Sequence, residues 1–234
     1  MLQDRLNRFG LIVLGTDLTI EGDAARLMPP DCRLHVTRIA FENPTTAENL
    51  RQTGPRLREA GALLVPGMAL KGVGFGCTSA SAVLGHGVEE ALGRRAPVST
   101  PTSGALRGFA ALGVTRVALM TPYLPQTADL VGDHFAAHGL EVVSRRSMGR
   151  ADDRDMALLP EAEVMAFALA ADHPDAQALF MSCTALPALG LIDRIEARLG
   201  KPVISANQAL FWAMLDQARI PASGPGRLFQ VRTW

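Results

Sequence analysis

Cysteine is the side chain in this sequence best suited to covalent or proton-transfer chemistry, and two of its three cysteines occupy matching places in a long repeat. Gly76-Cys77-Thr78-Ser79-Ala80 leads through an amphipathic stretch to Gly93-Arg94-Arg95-Ala96-Pro97-Val98-Ser99. Ser182-Cys183-Thr184-Ala185-Leu186 leads through another to Leu199-Gly200-Lys201-Pro202-Val203-Ile204-Ser205. The cysteines are 106 positions apart and the prolines opening the two closing strands, Pro97 and Pro202, are 105 apart. An apolar strand start echoes at a similar offset of 108, Arg8-Phe9-Gly10-Leu11-Ile12-Val13 against Arg116-Val117-Ala118-Leu119-Met120. A repeat of this length is a duplicated domain, since solenoid periods are far shorter. Each half places a cysteine at a strand-to-helix junction, so a two-fold arrangement brings two thiols to one cleft.

A thiol at the first turn of a helix faces the positive end of the helix dipole and free backbone N–H groups, which is expected to lower its pKa and favour thiolate. A thiolate removes a proton from carbon or attacks an electrophilic double bond. Two thiols on opposite faces of a substrate allow one to take a proton while the other delivers one, which is racemisation. Thr78, Ser79 and Thr184 offer hydroxyl and backbone donors for a carboxylate or a developing enolate. Cysteine is also a common small buried residue. That bland explanation suffices for either cysteine alone and is weak for two at matching places. Cys32, in Pro29-Pro30-Asp31-Cys32, has no counterpart and reads as structural.

The elements that must position these residues alternate along the chain. Strands are predicted over 9–14, 33–38, 72–75, 98–99, 116–121, 141–145, 177–181 and 203–205. Helices are predicted over 46–64, 81–92, 103–112, 126–138, 160–171, 191–199 and 208–218. Thr46 and Ser103 can cap helix N-termini, and Gly93, Gly113, Gly139 and Gly200 follow helical runs as C-terminal glycines. The alternation predicts an α/β fold of right-handed βαβ units: two similar parallel-sheet domains related by pseudo-two-fold symmetry, with the active site in the cleft between them. Ligands in such folds bind at the carboxyl ends of strands, where both cysteines fall. The chain is expected to cross between halves near Ser99–Ser103 and to return near Ser205–Asn207. This gives a first domain of residues 1–99 plus 207–234 and a second of 100–206. Pro221–Arg227 reads as a surface loop.

Composition agrees with this plan. Hydrophobic residues make up 48% and aromatic ones only 5%, which suits parallel strands covered by helices. With 23 basic and 23 acidic residues and no basic block, neither nucleic acid nor an anionic membrane is an expected partner. The charged start Met1-Leu2-Gln3-Asp4-Arg5 is unlike a signal peptide, and no run is long enough to span a bilayer. Three cysteines without C-x-x-C spacing suggest neither a disulfide framework nor a zinc site, so a cytoplasmic protein with reduced thiols is expected. Expected partners are a small-molecule carboxylate and further copies of the chain in a homo-oligomer.

Several other motifs fail on inspection. Gly72-Val73-Gly74-Phe75-Gly76 resembles a dinucleotide loop, yet the acidic residue expected roughly 20 positions on is missing; glycines that let a substrate approach the thiol explain it better. No P-loop, nucleophile-elbow serine or H-E-x-x-H is present. His35, His86, His134, His138 and His173 show no metal spacing, and His134 and His138 read as surface residues on one helix face. A Cys–His pair using His86 stays open.

The paired G-C-T-S and S-C-T-A-L segments resemble the aspartate/glutamate racemase superfamily, in the branch that holds maleate cis-trans isomerase and arylmalonate decarboxylase. The resemblance spans nearly the whole chain: Arg8–Asp23, Ser99–Tyr123, Leu199–Ser205 and the late Gly226-Arg227-Leu228-Phe229. Within the branch, G-T-D-L-T-I-E is most similar to the ectoine-utilisation proteins. The resemblance implies a cofactor-independent enzyme without a metal. It implies that Cys77 is a nucleophile or base, present in the isomerase and absent from the decarboxylase, and that Cys183 delivers a proton. It further implies that Tyr123, the only tyrosine, belongs to the active site and that Thr78 and Ser79 bind the substrate carboxylate. Because Cys77 is present, decarboxylation is disfavoured.

The sequence departs from the isomerase pattern at two carboxylates. Where an asparagine is usual in the first-strand loop stands Asp17, and a second family asparagine is matched by an acidic residue, Asp153. An ionised Asp would repel a second substrate carboxylate but would bond an ammonium group. This favours an amino or carboxylic acid racemase or isomerase, with diaminobutyrate or a derivative from ectoine catabolism as substrate. Maleate isomerisation is the alternative. A binding protein that senses an ectoine catabolite is the alternative of another class. Asp17 could equally cap a helix starting at Leu18 or Thr19.

Overall fold

The structure is a computed structural model that describes residues 6–93 and 96–234. The charged start over residues 1–5, and Arg94 and Arg95 in the closing segment of the first repeat copy, lie outside the described residues. The first half contains β1 (Asn7–Leu14), α1 (Ile20–Leu27), β2 (Cys32–Ile39), α2 (Ala47–Arg51), α3 (Gly54–Leu63), β3 (Gly72–Gly76), α4 (Thr78–Leu84), α5 (Gly87–Leu92) and β4 (Val98–Ser99). The second contains α6 (Pro101–Ala111), β5 (Arg116–Thr121), α7 (Pro125–Ala137), β6 (Glu141–Ser147), α8 (Asp153–Ala157), α9 (Glu161–Ala171), β7 (Ala178–Met181), α10 (Ile192–Leu199) and β8 (Val203–Ser205), followed by α11 (Ala206–Gln217).

The strands form two four-stranded parallel sheets with the orders β2-β1-β3-β4 and β6-β5-β7-β8. The second order is the first with each strand advanced by four, and the register repeats as well. Phe9 stands opposite Gly72 as Val117 stands opposite Ala178, and Gly74 opposite Ser99 as Phe180 opposite Ile204. The central strands β1 and β5 are apolar and buried on both faces, as parallel strands between helix layers must be. Along β1 the pleat divides the core: Phe9, Leu11 and Val13 join the larger apolar cluster with α1, α11 and the second sheet, while Ile12 and Leu14 face a smaller one with Leu50, Leu57 and Phe75. The edge strands β2 and β6 carry Arg33, Arg38, Arg145 and Arg146 and are partly exposed, which blunts edge-to-edge pairing. No helix among the described residues is long and apolar enough to cross a membrane.

Helix ends follow the sequence signals with informative exceptions. Thr46 caps α2 by accepting from the Asn49 N–H, and Gly93, Gly113, Gly139 and Gly200 all adopt positive φ at helix ends. The cap of α6 is Thr100, with Ser103 the reciprocal partner in a capping box, so the predicted cap at Ser103 sits three residues inside. Ser205 and Gln208 repeat that box at the start of α11, 105 positions later. The helix predicted over 46–64 is two helices, because Pro55 opens α3 and Thr53 turns its hydroxyl to the Leu50 carbonyl. The helix predicted over 81–92 breaks at Gly85 (φ 53°) into α4 and α5. The short helices α1 and α8 were not in the predicted set.

The repeat-equivalent helices α6 and α11 pack on each other, and α11 also reaches α1, β3, β4 and β8. A Cβ on Gly104 would lie 2.4 Å from the Ala209 carbonyl oxygen. Positions 104 and 209 are 105 apart, so each helix meets the other through matching places in the repeat. The glycines of β3 serve packing too. A Cβ on Gly74 would meet Met214 Sδ at 2.8 Å, and one on Gly76 would meet Ile20 Cδ1 at 2.3 Å. Their smallness seats α11 and α1 on the strand, which corrects the expectation that they make room for a substrate.

Candidate functional site

The eight residues singled out from the sequence all follow carboxyl ends of strands. Asp17 follows β1; Cys77, Thr78 and Ser79 follow β3; Tyr123 follows β5; Asp153 opens α8 after β6; Cys183 and Thr184 follow β7. All eight are buried, none with more than 6% of its surface exposed. Tyr123 feels the charge of both thiols, Cys183 feels that of Cys77, and Asp17 acts on both cysteines, so these buried groups lie close together.

The two cysteines reach the site by different turns. Cys77 is the extended N-cap residue of α4, its carbonyl accepting from Ser81 N and Oγ and its Sγ lying 3.7 Å from Ser79 Oγ. Cys183 has a φ of 93°, in the left-handed region, and no helix follows it directly; a 3-10 turn at Leu189–Leu191 leads into α10. The strand-to-helix junction expected for both therefore holds only for Cys77. Cys183 Sγ lies 3.8 Å from Met156 Sδ of α8 and is hydrogen-bonded by Tyr123, whose hydroxyl lies 3.5 Å from Ser182 Oγ.

Burial disfavours the thiolate form at both cysteines. Burial, with Asp17 and Asp153 adding to it, pushes the Cys77 thiol up to about 12, against the Ala80 N–H and Ser79 hydroxyl, which pull it down. Burial also raises Cys183, with Asp17 and Cys77 adding to it and the Tyr123 hydroxyl opposing. The expected lowering by the helix terminus is thus overridden. A half-charge at a helix end is a smaller effect than removing a thiolate from water and placing it beside carboxylates.

Asp17 braces the start of α1 without being its N-cap residue, which is Thr19; the helix begins at Ile20, not at Leu18 or Thr19. Asp17 Oδ1 accepts from the Thr19 and Ile20 N–H groups at 2.8 and 2.9 Å. Burial still raises the Asp17 pKa, with Asp153 contributing, although those N–H groups and the Thr184 hydroxyl pull the other way. Thr184 Oγ1 also faces the Gly76 carbonyl at 3.4 Å, and its one proton can serve only one of these acceptors at a time. Asp153 accepts from Thr16 Oγ1 and, at 2.7 Å, from Asn43 Nδ2. Thr78 Oγ1 is fully buried without a hydrogen-bond partner, as are Thr121 Oγ1 and Asn207 Oδ1.

Thr16, Thr19, Asn43, Met156 and Asn207 complete the surroundings, and none stands out in the sequence. Asn43 and Asn207 meet their partners across 110 and 184 positions, beyond any local pattern. The histidines stay outside. His86 is exposed and pairs with Glu89 at 3.2 Å, which removes the Cys77–His86 pairing. His138 is exposed, but His134 is half-buried, and burial followed by the nearby His138 lowers its pKa to about 4. Among the described residues no group of three or more His, Cys, Asp or Glu is placed to hold a metal ion.

The paired parallel sheets have counterparts in known proteins. The maleate isomerase of Nocardia farcinica is 29% identical over 237 residues, covering 94% of both chains. The arylmalonate decarboxylase of Bordetella bronchiseptica is 29% identical over 243 residues, covering 98% of this chain and 99% of that one. The crystal structure of the Nocardia enzyme as a cysteine-to-serine mutant with a covalently bound succinylcysteine intermediate superposes with a TM-score of 0.89 at 27% identity, over 96% of this chain and 98% of that one. That of a Pseudomonas putida maleate isomerase variant with maleate gives 0.87 at 26% identity, over 96% and 97%. The arylmalonate decarboxylase family model matches residues 34–229. The chain belongs to the arylmalonate decarboxylase family, which it shares a fold with over nearly its full length.

Proposed function

We propose that this protein is a cofactor-independent isomerase in which Cys77 and Cys183 act together on a small carboxylate, with cis-trans isomerisation of maleate the reaction supported best. The observation that carries this reading is the pair of buried thiols lying close together at register-equivalent strand ends. Cys77 releases its proton to solvent as substrate enters, and its sulfur adds to one alkene carbon, so that a C–S bond forms as the C=C π bond breaks. The displaced electron pair moves into the adjoining carboxylate, where Thr78, Ser79 and Thr184 supply hydroxyl donors. Cys183 then gives its proton to the other former alkene carbon, leaving a single C–C bond that rotates. Cys183 takes a proton back, the C–S bond breaks, and the trans acid leaves. Tyr123, hydrogen-bonded to Cys183, favours the thiolate that remains once the proton has been delivered.

A thiol held near 12 in the free protein sets the pH dependence. The thiolate fraction below that value rises about tenfold per pH unit, and kcat/KM reports the free enzyme. We expect kcat/KM to climb steadily from about pH 7 to about pH 9. A plateau already reached in that range would mean that a thiolate is preformed.

A second reading is favoured by Asp17 and Asp153, two buried carboxylates set against a site meant for an anion. They suit a substrate with an ammonium group, such as diaminobutyrate or a related ectoine catabolite, racemised through proton removal by one thiol and delivery by the other. Incubation with maleate and a panel of amino acids in D₂O, followed by proton NMR, separates the two. Fumarate formation is the expected result; deuterium at Cα of an amino acid would install the second reading, and a ligand-induced melting shift with neither would remove both. Asp17→Asn sharpens the comparison. Asparagine caps a helix about as well as aspartate. A role for Asp17 on an ammonium group predicts a loss of about 1.5–3 kcal/mol in transition-state binding of the amino acid, and no loss for maleate.

A further inference from the structure

Cys77 and Cys183 are equivalent in the repeat, but their backbones are secured differently. The Cys77 turn continues into α4 and is fixed by that helix's own bonds. The Cys183 turn has a non-glycine residue at φ 93°, and the first bond of its own is a long one, Leu186 N–H to the Cys183 carbonyl at 3.4 Å. Such a conformation costs energy and persists only where the surroundings over-determine it.

The surroundings that do so lie on α1 and α11. The Thr184 carbonyl accepts from Asn207 Nδ2 at 2.8 Å, and the next carbonyl, Ala185, accepts from Thr19 Oγ1 at 2.6 Å. Asn207 Nδ2 also donates to Asp23 Oδ2 at 2.8 Å. With an acceptor on each N–H, the amide has one tenable orientation, because a flip would put its oxygen against both. Asp23 therefore aims Asn207, and Thr19, the residue before α1, adds the second grip. Thr184, Asn207 and Asp23 are buried, so water does not compete for these bonds.

We propose that Thr19 and Asn207 are positioning residues that hold the Cys183 turn in its strained form from α1 and α11, and thereby set the reactivity of the Cys183 thiol. This rests on the reading of Cys183 as catalytic. The titratable groups facing Cys183 are Tyr123, Asp17 and Cys77, and Met156 is its other close neighbour. Asp17 accepts from the Thr19 N–H, but that donor is backbone and is kept in Thr19→Val.

Thr19 is only half-buried, so Thr19→Val is a milder change to the fold than one at the buried Asn207. In a Cys32→Ser, Cys77→Ser background, where Cys183 is the only thiol, iodoacetamide alkylation is followed against pH. Thr19→Val is expected to alkylate at least about fivefold faster with a shifted pH midpoint, because a loosened turn exposes the thiol. Thr19→Ser, which keeps the hydroxyl, should restore the parent profile. With both catalytic thiols present, Thr19→Val should lower kcat about ten- to a hundredfold with little change in KM, the usual cost of a misplaced group. An alkylation rate and pH profile equal to the parent's would overturn the proposal, and so would an unchanged kcat. Alkylation needs no substrate, so it answers the positioning question even if every acid in the panel fails to turn over. Loss of the catalytic reading would instead show as full activity in Cys183→Ser.

Discussion

Replacing either site cysteine by serine is expected to abolish turnover and leave the fold intact. A positioned acid or base contributes about a hundred- to ten-thousandfold, which is the loss expected for Cys183→Ser. Cys77→Ser should cost at least as much, because a serine hydroxyl is a far weaker nucleophile than a thiol in a site with no group placed to activate it. Both side chains are buried, so exchanging sulfur for a hydroxyl should cost about 1–3 kcal/mol of stability, too little to unfold the protein. Cys32→Ser is the control, since Cys32 opens the edge strand β2 beside Asp31, away from both thiols. Steady-state kinetics and thermal melts on the three variants decide the matter. Full activity in either site variant would exclude a two-thiol mechanism, and loss of activity together with a collapsed melting temperature would assign that cysteine a structural role.

The second large effect is expected at Gly104. A methyl group there would sit 2.4 Å from the Ala209 carbonyl oxygen and 2.7 Å from its carbon, and backbone of the opposing helix cannot rotate away. Gly104→Ala must therefore push α6 and α11 apart. Overpacking of a close contact typically costs about 1–3 kcal/mol and sometimes more, and a backbone partner places this site at the upper end. Gly22→Ala is the contrasting change, because Gly22 lies exposed in α1 with nothing within 4 Å of its added carbon. There the helix preference for alanine should stabilise by up to about 1 kcal/mol. Urea unfolding of the two variants should shift the midpoint in opposite directions. A neutral Gly104→Ala would mean that the two helices are not in close contact.

The sheets were legible in the sequence because each half spells out the same local choices. Buried β1 and β5 are unbroken apolar runs, and both halves place glycine at helix ends where only positive φ closes the turn. The repeat pointed to Cys77 and Cys183, while Tyr123, Asp17 and Asp153 rested on the family resemblance, and all eight candidates lie beyond the carboxyl ends of strands. What local pattern could not show is what burial does. The thiol at the start of α4 looks activated until its desolvation and the two nearby carboxylates are counted, and both depend on segments far away in the chain. The glycines of β3 looked like a ligand loop, because nothing in the local sequence says that Met214 and Ile20 press against them. The left-handed turn at Cys183 was equally hidden, since cysteine carries no signal for positive φ and the groups that hold it, Thr19 and Asn207, come from distant helices.

The most direct test of the paired-thiol reading is to remove the proton donor and look for the adduct on its partner. Cys183→Ser is incubated with maleate and its intact mass and tryptic map are compared with those of the wild-type protein. The expected result is one added maleate on Cys77 as a succinyl thioether, accumulating because solvent protonates the adduct carbon while the thiol that would take that proton back is gone. No adduct on Cys77, together with maleate turnover that continues at the wild-type rate, would contradict it.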